Sequence, residues 1–406
     1  MLRRWLAILV VLFVMSPVAQ AADPQFQAFL QSLWPEAQRM GVSRPTFDAA
    51  IRGVEPDLSL PDLALTGRPE RPPPQQPEFV QTPADYVRES SIARLAAEGK
   101  KLLTAHRATL DAIEKQFGVP PQIILAIWGR ETAFGGYKLP HDALRALATQ
   151  AYTGRRKDMF RAEFLAALKM LQDGVPRERM RSSWGGAMGL TQFLPSEYYK
   201  HAVDFDGDGR VDIWTSVPDA LASAAKQLAN KGWVRGERWA YEVRSPGNVD
   251  CTIAQPAHVL PVGEWLKRGY AAAHGRRLSD GELTKEASLL LPEGTYGPAF
   301  LTPKNYFVIK EYNFSDLYVL FVGHLSDRIV DGKPFEKSWS KNAQLRTEQV
   351  EAMQKTLTER GLYRDKVDGK AGMLTRAALG EYQKASGLKL DCWPTAAVVS
   401  HMQGRR

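Results

Sequence analysis

Glu131 stands at the end of the apolar run Pro121-Gln-Ile-Ile-Leu-Ala-Ile-Trp128-Gly-Arg-Glu131-Thr-Ala-Phe134-Gly135-Gly136, so one carboxyl is delivered to a helix end beside aromatic rings. Loss of hydration there disfavours the charged form, and these residue types predict a carboxyl that stays protonated near neutrality and acts as a general acid. The alternative is a glutamate paired with Arg130 or another cation. Downstream, Ser182-Ser183-Trp184-Gly185-Gly186-Ala187-Met188-Gly189-Leu190-Thr191-Gln192-Phe193-Leu194-Pro195 collects small residues around two side chains that can hydrogen-bond hydroxyl and amide groups, Ser183 and Gln192. The segment reads as the floor of a groove that lets a polymer approach the backbone.

A second constellation, Asp204-Phe-Asp206-Gly-Asp208-Gly209-Arg210-Val-Asp212-Ile-Trp214, sets carboxylates at loop positions 1, 3, 5 and 9 with glycine at 6. Arg210 falls where an EF-hand loop contributes a main-chain carbonyl, and this spacing wraps Ca²⁺ in oxygen ligands. Thr215 replaces the usual bidentate glutamate, and Asp219 could supply that ligand from a longer loop. A structural Ca²⁺ is expected, with an empty acidic turn as the alternative. No cofactor is expected for the chemistry.

The Glu131-Thr-x-Phe-Gly and Gly186-Ala-Met-Gly-x-x-Gln192-Phe-x-Pro elements resemble the B-type lytic murein transglycosylases, over about Phe26 to Ile329. The resemblance implies a lysozyme-like helical core with Glu131 as the single catalytic residue. It would protonate the β-1,4 bond between N-acetylmuramic acid and N-acetylglucosamine, then act as base on the muramyl 6-hydroxyl, giving a 1,6-anhydromuramyl end without water. A hydrolase of the usual kind needs a second carboxylate, and neither motif contains one. The resemblance also places Ser183 and Gln192 in the groove. It matches Tyr312-Asn313-Phe314-Ser315-Asp316-Leu317-Tyr318 to an element lining the cleft with Tyr312, Asn313 and Tyr318, and Tyr86 to a further cleft tyrosine. Tyr312 and Tyr318 could equally be the core and rim of a helix start. Departures occur at Ser182, Gly185 and Lys226-Gln227. A hydrolytic muramidase on the same scaffold and a non-catalytic wall-binding scaffold protein are the other readings.

The elements that position these residues are mainly helical, an α+β arrangement. Apolar residues recur at helical spacing from Phe26 to Ile51, with Ser43 offering a cap, and again from Tyr86 to Phe117, where Gly118 ends the segment and Pro120-Pro121 open the next helix. A proline-rich strap covers 67–83. Between about 239 and 312, Ala287-Ser-Leu-Leu-Leu-Pro, Glu293-Gly-Thr-Tyr-Gly, Ala299-Phe-Leu and Tyr306-Phe-Val-Ile-Lys read as short strands of a small β insertion. Helix returns from Ser315 to Ile329. The catalytic region is thus 22–333, followed by a linker at 334–343 and a separate module at 344–406.

In that module, Val367-Asp368-Gly369-Lys-Ala-Gly372-Met-Leu-Thr375 has a shorter echo in Leu390-Asp391-Cys392-Trp-Pro-Thr395, each a turn leading into a helix capped near threonine. The pattern resembles the peptidoglycan-binding domain appended to many wall hydrolases, and departs from it at Cys392, where glycine is usual. Cys251 and Cys392 are the only cysteines, and an oxidising compartment permits a bridge between them; two buried free thiols are the alternative.

Residues 1–21 carry Arg3 and Arg4, an apolar run from Trp5 to Met15 and small residues at Val18-Ala19-Gln20-Ala21, the pattern of a cleaved secretory signal peptide. No second apolar run reaches the roughly 20 residues of a membrane helix, and no cysteine follows the signal to carry a lipid anchor. A periplasmic monomer without a membrane anchor is expected. The formal charge is +8, and removing Arg3 and Arg4 leaves +6. An exported basic protein meets acidic polymers, so peptidoglycan glycan strands, not nucleic acid, are the expected partner.

Overall fold

Caps set the first helix boundaries. Asp23 accepts the main-chain N–H groups of Gln25 and Phe26 ahead of the helix Pro24–Ser32, and Ser43 accepts that of Thr46 ahead of Arg44–Ile51. Gly118, at φ 77°, terminates Arg107–Phe117, and Pro121 is the first residue of Pro121–Thr132. The computed structural model describes residues 23–65, 77–330, 332–340, 342–343 and 345–404. The expected leader and most of the proline-rich strap lie outside the described residues.

The middle of the helix Pro121–Thr132 is an unbroken apolar run and is enclosed accordingly. Ile123 to Gly129 are buried, with the helices Glu89–Ala105, Val217–Asn230 and Asp316–Ile329 packed around them. Each fully buried aliphatic side chain contributes roughly 1.5–3 kcal/mol, which makes this helix a rigid support for whatever it carries at its end. The N-terminal helices form a second core, in which Phe26, Leu30 and Phe47 meet Leu144, Phe164 and Met188.

A five-stranded antiparallel sheet follows, in the order 259–261, 286–290, 299–302, 241–244 and 271–272. Leu289 lies opposite Leu301, and both face the buried Trp265 and Cys251. Tyr306 to Lys310, expected as a strand, belongs instead to the helix Lys304–Asn313. Its β-branched and aromatic residues favour a strand locally, but Tyr306, Val308 and Ile309 are buried against other helices, and that packing overrides the preference.

The C-terminal module holds the helices Thr347–Glu359, Met373–Ala385 and Ala396–Met402. Its two turns repeat one construction. The Gln354 side-chain carbonyl accepts the N–H groups of Asp368 and Gly369 at 3.0 and 2.8 Å, and that of Gln383 accepts those of Asp391 and Cys392 at 3.2 and 2.8 Å. Cys392 has φ 52°, where its counterpart Gly369 has φ 71°. Cys392 is disulfide-bonded to Cys251 of the catalytic region, with Cα atoms 6.1 Å apart. A side chain at Gly380 would overlap the Cys392 sulfur, so glycine is required at that close approach. The connecting segment is not slack: Phe335 stacks on His324 with ring centroids 3.8 Å apart, and the Ser340 N–H donates to Glu293 at 2.7 Å.

Candidate active site

Glu131 sits on the last turn of Pro121–Thr132, half-buried. The backbone then leaves the helix abruptly, with Ala133, Phe134 and Gly135 all at positive φ, of 49°, 59° and 82°. Two consecutive non-glycine residues in the left-handed region store strain that the surrounding packing must hold. Gly129 has no Cβ to oppose the Phe134 ring as it folds back, and that ring meets Trp128 edge-on at 5.6 Å.

The Tyr318 hydroxyl donates to Glu131 Oε1 at 2.6 Å, from the first turn of the helix Asp316–Ile329. Tyr312 stacks on Tyr318 with centroids 6.1 Å apart and planes 9° apart, and its hydroxyl donates to the Thr191 carbonyl at 2.7 Å. Burial pushes both phenols well above their usual range, and the adjacent Glu131 carboxylate pushes them further, so both remain neutral donors. Tyr318 is a core residue, and the partly buried Tyr312 packs against the same core. Asn313 lies between them in sequence, its Oδ1 buried without a hydrogen-bond partner among the described residues.

The small-residue segment forms a tight looped floor. Met188 and Phe193 exchange main-chain hydrogen bonds at 2.8 Å, and the Thr132 hydroxyl ties this loop to the Glu131 helix by donating to the Leu190 carbonyl at 2.7 Å. Ser183 Oγ accepts the Ala187 N–H at 3.2 Å, and Gln192, at φ 59°, donates to the Gly189 carbonyl at 3.0 Å. Side chains at Gly186 and Gly189 would strike Leu147 and Ile213, so these two glycines serve the packing of the loop. A side chain at Gly185 would meet only Ser183 Oγ, at 3.9 Å, so the packing of the loop does not demand glycine there.

Tyr86 is buried, at 6% exposure. Its hydroxyl accepts from Arg130 at 2.5 Å, and the guanidinium rests over the Tyr86 and Phe321 rings at 4.7 and 4.9 Å. The sequence reading missed both Thr132 and the Arg130–Tyr86 pair. The threonine stands beside Glu131 in the motif, and its fixed position there was the available signal.

In the acidic loop, Asp204, Asp206 and Asp219 each bring a ligand oxygen within 4.8 Å of the others. Asp219 is fully buried and accepts the N–H groups of Phe205 and Asp212 at 2.8 and 2.9 Å. Among the described residues no lysine or arginine pairs with these three, whereas Asp212 is engaged by Arg179 at 2.8 Å. Asp208 is exposed and accepts the Arg210 N–H at 2.8 Å. A set of hard oxygen donors, one of them buried without a counter-charge, fits a cation such as Ca²⁺.

Comparison with known proteins agrees with this geometry. Residues 25–327 match the transglycosylase SLT domain family and residues 346–402 a peptidoglycan binding domain family. The membrane-bound lytic murein transglycosylase B of Escherichia coli K12 is 33% identical over 221 residues, covering 52% of this chain and 58% of that protein, so only part of the relative is spanned. The crystal structure of SltB3 from Pseudomonas aeruginosa in complex with NAG-anhNAM-pentapeptide superposes with a TM-score of 0.82 at 36% identity, over 93% of this chain and 99% of that one. The Escherichia coli lytic transglycosylase Slt35 in complex with calcium gives a TM-score of 0.57 at 25% identity, over 76% and 93%.

Proposed function

Because the chain belongs to the transglycosylase SLT domain family, we propose that it is a lytic transglycosylase that cleaves the β-1,4 bond between N-acetylmuramic acid and N-acetylglucosamine in peptidoglycan, with Glu131 as acid and then base. The observation that carries this reading is the Tyr318–Glu131 hydrogen bond of 2.6 Å at a strained helix end, beside a groove loop pinned to the same helix by Thr132. The Glu131 carboxyl gives its proton to the glycosidic oxygen as the bond to the muramyl C1 breaks. The muramyl 6-hydroxyl then closes on C1 and returns a proton to the carboxylate. Atoms balance without water, and the enzyme ends protonated as it began. The Tyr318 hydrogen bond fixes the carboxyl's orientation, and Ser183, Gln192, Asn313, Tyr312 and Tyr86 line or support the groove.

The acidic loop holds a structural Ca²⁺ through Asp204, Asp206 and Asp219, which when bound neutralises their mutual repulsion and fixes the loop next to the groove floor. The protein acts in the periplasm after export, as a monomer on glycan strands. Mass spectrometry of purified sacculi after digestion should find 1,6-anhydromuramyl ends. Reducing ends would favour the hydrolytic muramidase, and no cleavage would favour a binding scaffold. Glu131→Gln should lower turnover about 10³-fold while leaving wall binding intact, consistent with the loss of a general acid.

A further inference from the structure

Arg130 stands next to Glu131 on the helix Pro121–Thr132, and the proposed chemistry leaves it without a role. It is partly buried, yet it forms no ion pair among the described residues, and the side-chain hydrogen bond it makes goes to the Tyr86 hydroxyl at 2.5 Å. The guanidinium rests over two rings, 4.7 Å from the Tyr86 centroid and 4.9 Å from that of Phe321, and these rings meet edge-on at 6.0 Å. A charge taken partly out of water and matched only by ring faces and a phenol costs stability, so its place beside a catalytic carboxyl calls for a function.

The two neighbours lean on one wall. Tyr318 holds Glu131 Oε1 at 2.6 Å, and Phe321, under the guanidinium, lies three residues further along the same helix Asp316–Ile329, so both contacts fall on one face of it. Burial alone would lower the Arg130 guanidinium, but Tyr86, Glu131 and Tyr318 raise it, so it stays charged beside the carboxyl. Other charged groups on the surrounding helices are engaged elsewhere. Glu89 meets His324 and Arg328, Asp316 accepts from Lys310 at 2.6 Å, and Asp327 pairs with Arg238 at 3.3 Å. Glu197, which acts on Tyr312, is held by Lys200 and His201 at 2.9 and 3.1 Å, and Lys226 is the partly buried cation of Val217–Asn230.

Resting on the transglycosylase reading, we propose that Arg130 is a positioning residue of the reaction, a fixed positive charge that stabilises the carboxylate left on Glu131 when its proton passes to the glycosidic oxygen. The two halves of the reaction make opposite demands. Burial favours the neutral acid needed at the start, whereas the first half leaves a negative charge in the same place until the muramyl 6-hydroxyl returns a proton. A cation that does not lose its own proton meets the second demand. The Tyr86 hydroxyl and the two rings keep the guanidinium from closing onto Glu131 as an ion pair, which would hold the acid ionised from the outset. Tyr86 thus serves the chemistry through Arg130.

The test is the pH profile of kcat/KM on purified glycan strands, whose alkaline limb reports loss of the Glu131 proton in the free enzyme. Removing a nearby positive charge makes the carboxyl a weaker acid. In Arg130→Met the limb should therefore move up by at least about half a pH unit, and kcat at the plateau should fall about tenfold with KM within about twofold of wild type. Arg130→Lys restores the charge and should return both toward wild type. Arg130→Gln serves where the methionine variant does not fold, since its amide still reaches for the Tyr86 hydroxyl without a charge. Carbon-13 titration of the glutamate carboxyls, with Glu131 assigned by its loss in Glu131→Gln, reads the same shift with no substrate present. A limb or a carbon-13 midpoint that stays within about 0.2 pH unit of wild type in the neutral variants, or that moves equally in Arg130→Lys, overturns the proposal. Wild-type protein that releases no anhydro ends from the strands instead overturns the transglycosylase reading, and the carbon-13 titration still decides what Arg130 does to the carboxyl.

Discussion

The first turn of the C-terminal module, Asp368-Gly369, and the second, Asp391-Cys392, are clamped alike by a buried glutamine from the preceding helix, yet they join the catalytic region by different chemistry. The first unit is held by a buried ion pair, Arg376 to Asp316 at 3.2 Å with both side chains 9% exposed. The second is held covalently through Cys392 and by main-chain contact, the Thr295 N–H donating to the Asp391 carbonyl at 3.0 Å. The difference teaches that a repeated local motif fixes the shape of a unit, while a few side chains decide whether acid or a reductant will release it.

Removing the ionic anchor should have the largest effect. Asp316→Asn leaves Arg376 and Lys310 facing a neutral group, and breaking a buried pair costs roughly 3–5 kcal/mol. Calorimetry should show the module unfolding in a separate, earlier transition. Burial alone would raise the Asp316 carboxyl, but Lys310 and Arg376 hold it below its usual 3.8. Its contribution is therefore complete above about pH 3.8 and is lost as pH falls through the lowered folded value. The wild type should loosen at this seam in acid, and Asp316→Asn should not loosen further.

The clamps come next. Gln354→Ala orphans the buried N–H groups of Asp368 and Gly369 and removes donors to Lys370 and Thr375, at about 3 kcal/mol in total. Gln383→Ala should cost less, because the disulfide and Thr295 still hold its turn. Equal losses measured by chemical denaturation would contradict the distinction between the two units.

For the covalent anchor, Cys251→Ser should cost about 2–4 kcal/mol, less any residual contact at the seam. Cys392→Gly should cost about 1 kcal/mol less, since glycine accepts φ 52° without strain. Hydrogen exchange at residues 390–395 would read both variants, and dithiothreitol should reproduce the Cys251→Ser pattern in the wild type.

Much of this was legible in the chain, and the reasons for the rest are local. Glu131 declared itself through its motif, and the module's echo through its turns. Family resemblance put Tyr318 in the cleft, but not on the carboxyl, because 187 residues separate it from Glu131 and no spacing rule spans that distance. The cysteine pairing stayed open because it depends on how two domains meet, across 141 residues. Tyr306 to Lys310 misled because strand-forming residues were buried within a helix. Gly186 and Gly189 read as room for a polymer, whereas their missing side chains make way for Leu147 and Ile213, which no local pattern reveals.

The smallest effect is expected where the second unit carries its own ion pair. Lys384 meets Asp250 at 3.1 Å, with side chains 57% and 39% exposed, close to the disulfide. Exposed pairs contribute about 0–1 kcal/mol and are screened by salt, so the covalent link next to it leaves this pair little to do. Asp250→Asn retains the oxygen that accepts the Thr252 N–H at 3.0 Å, which isolates the charge from the cap. Stability should change by less than about 0.5 kcal/mol at ordinary salt. The same substitution measured in dithiothreitol sharpens the contrast. If the pair became a main anchor once the bridge is open, the loss would grow well beyond that figure, and the second unit would resemble the first after all.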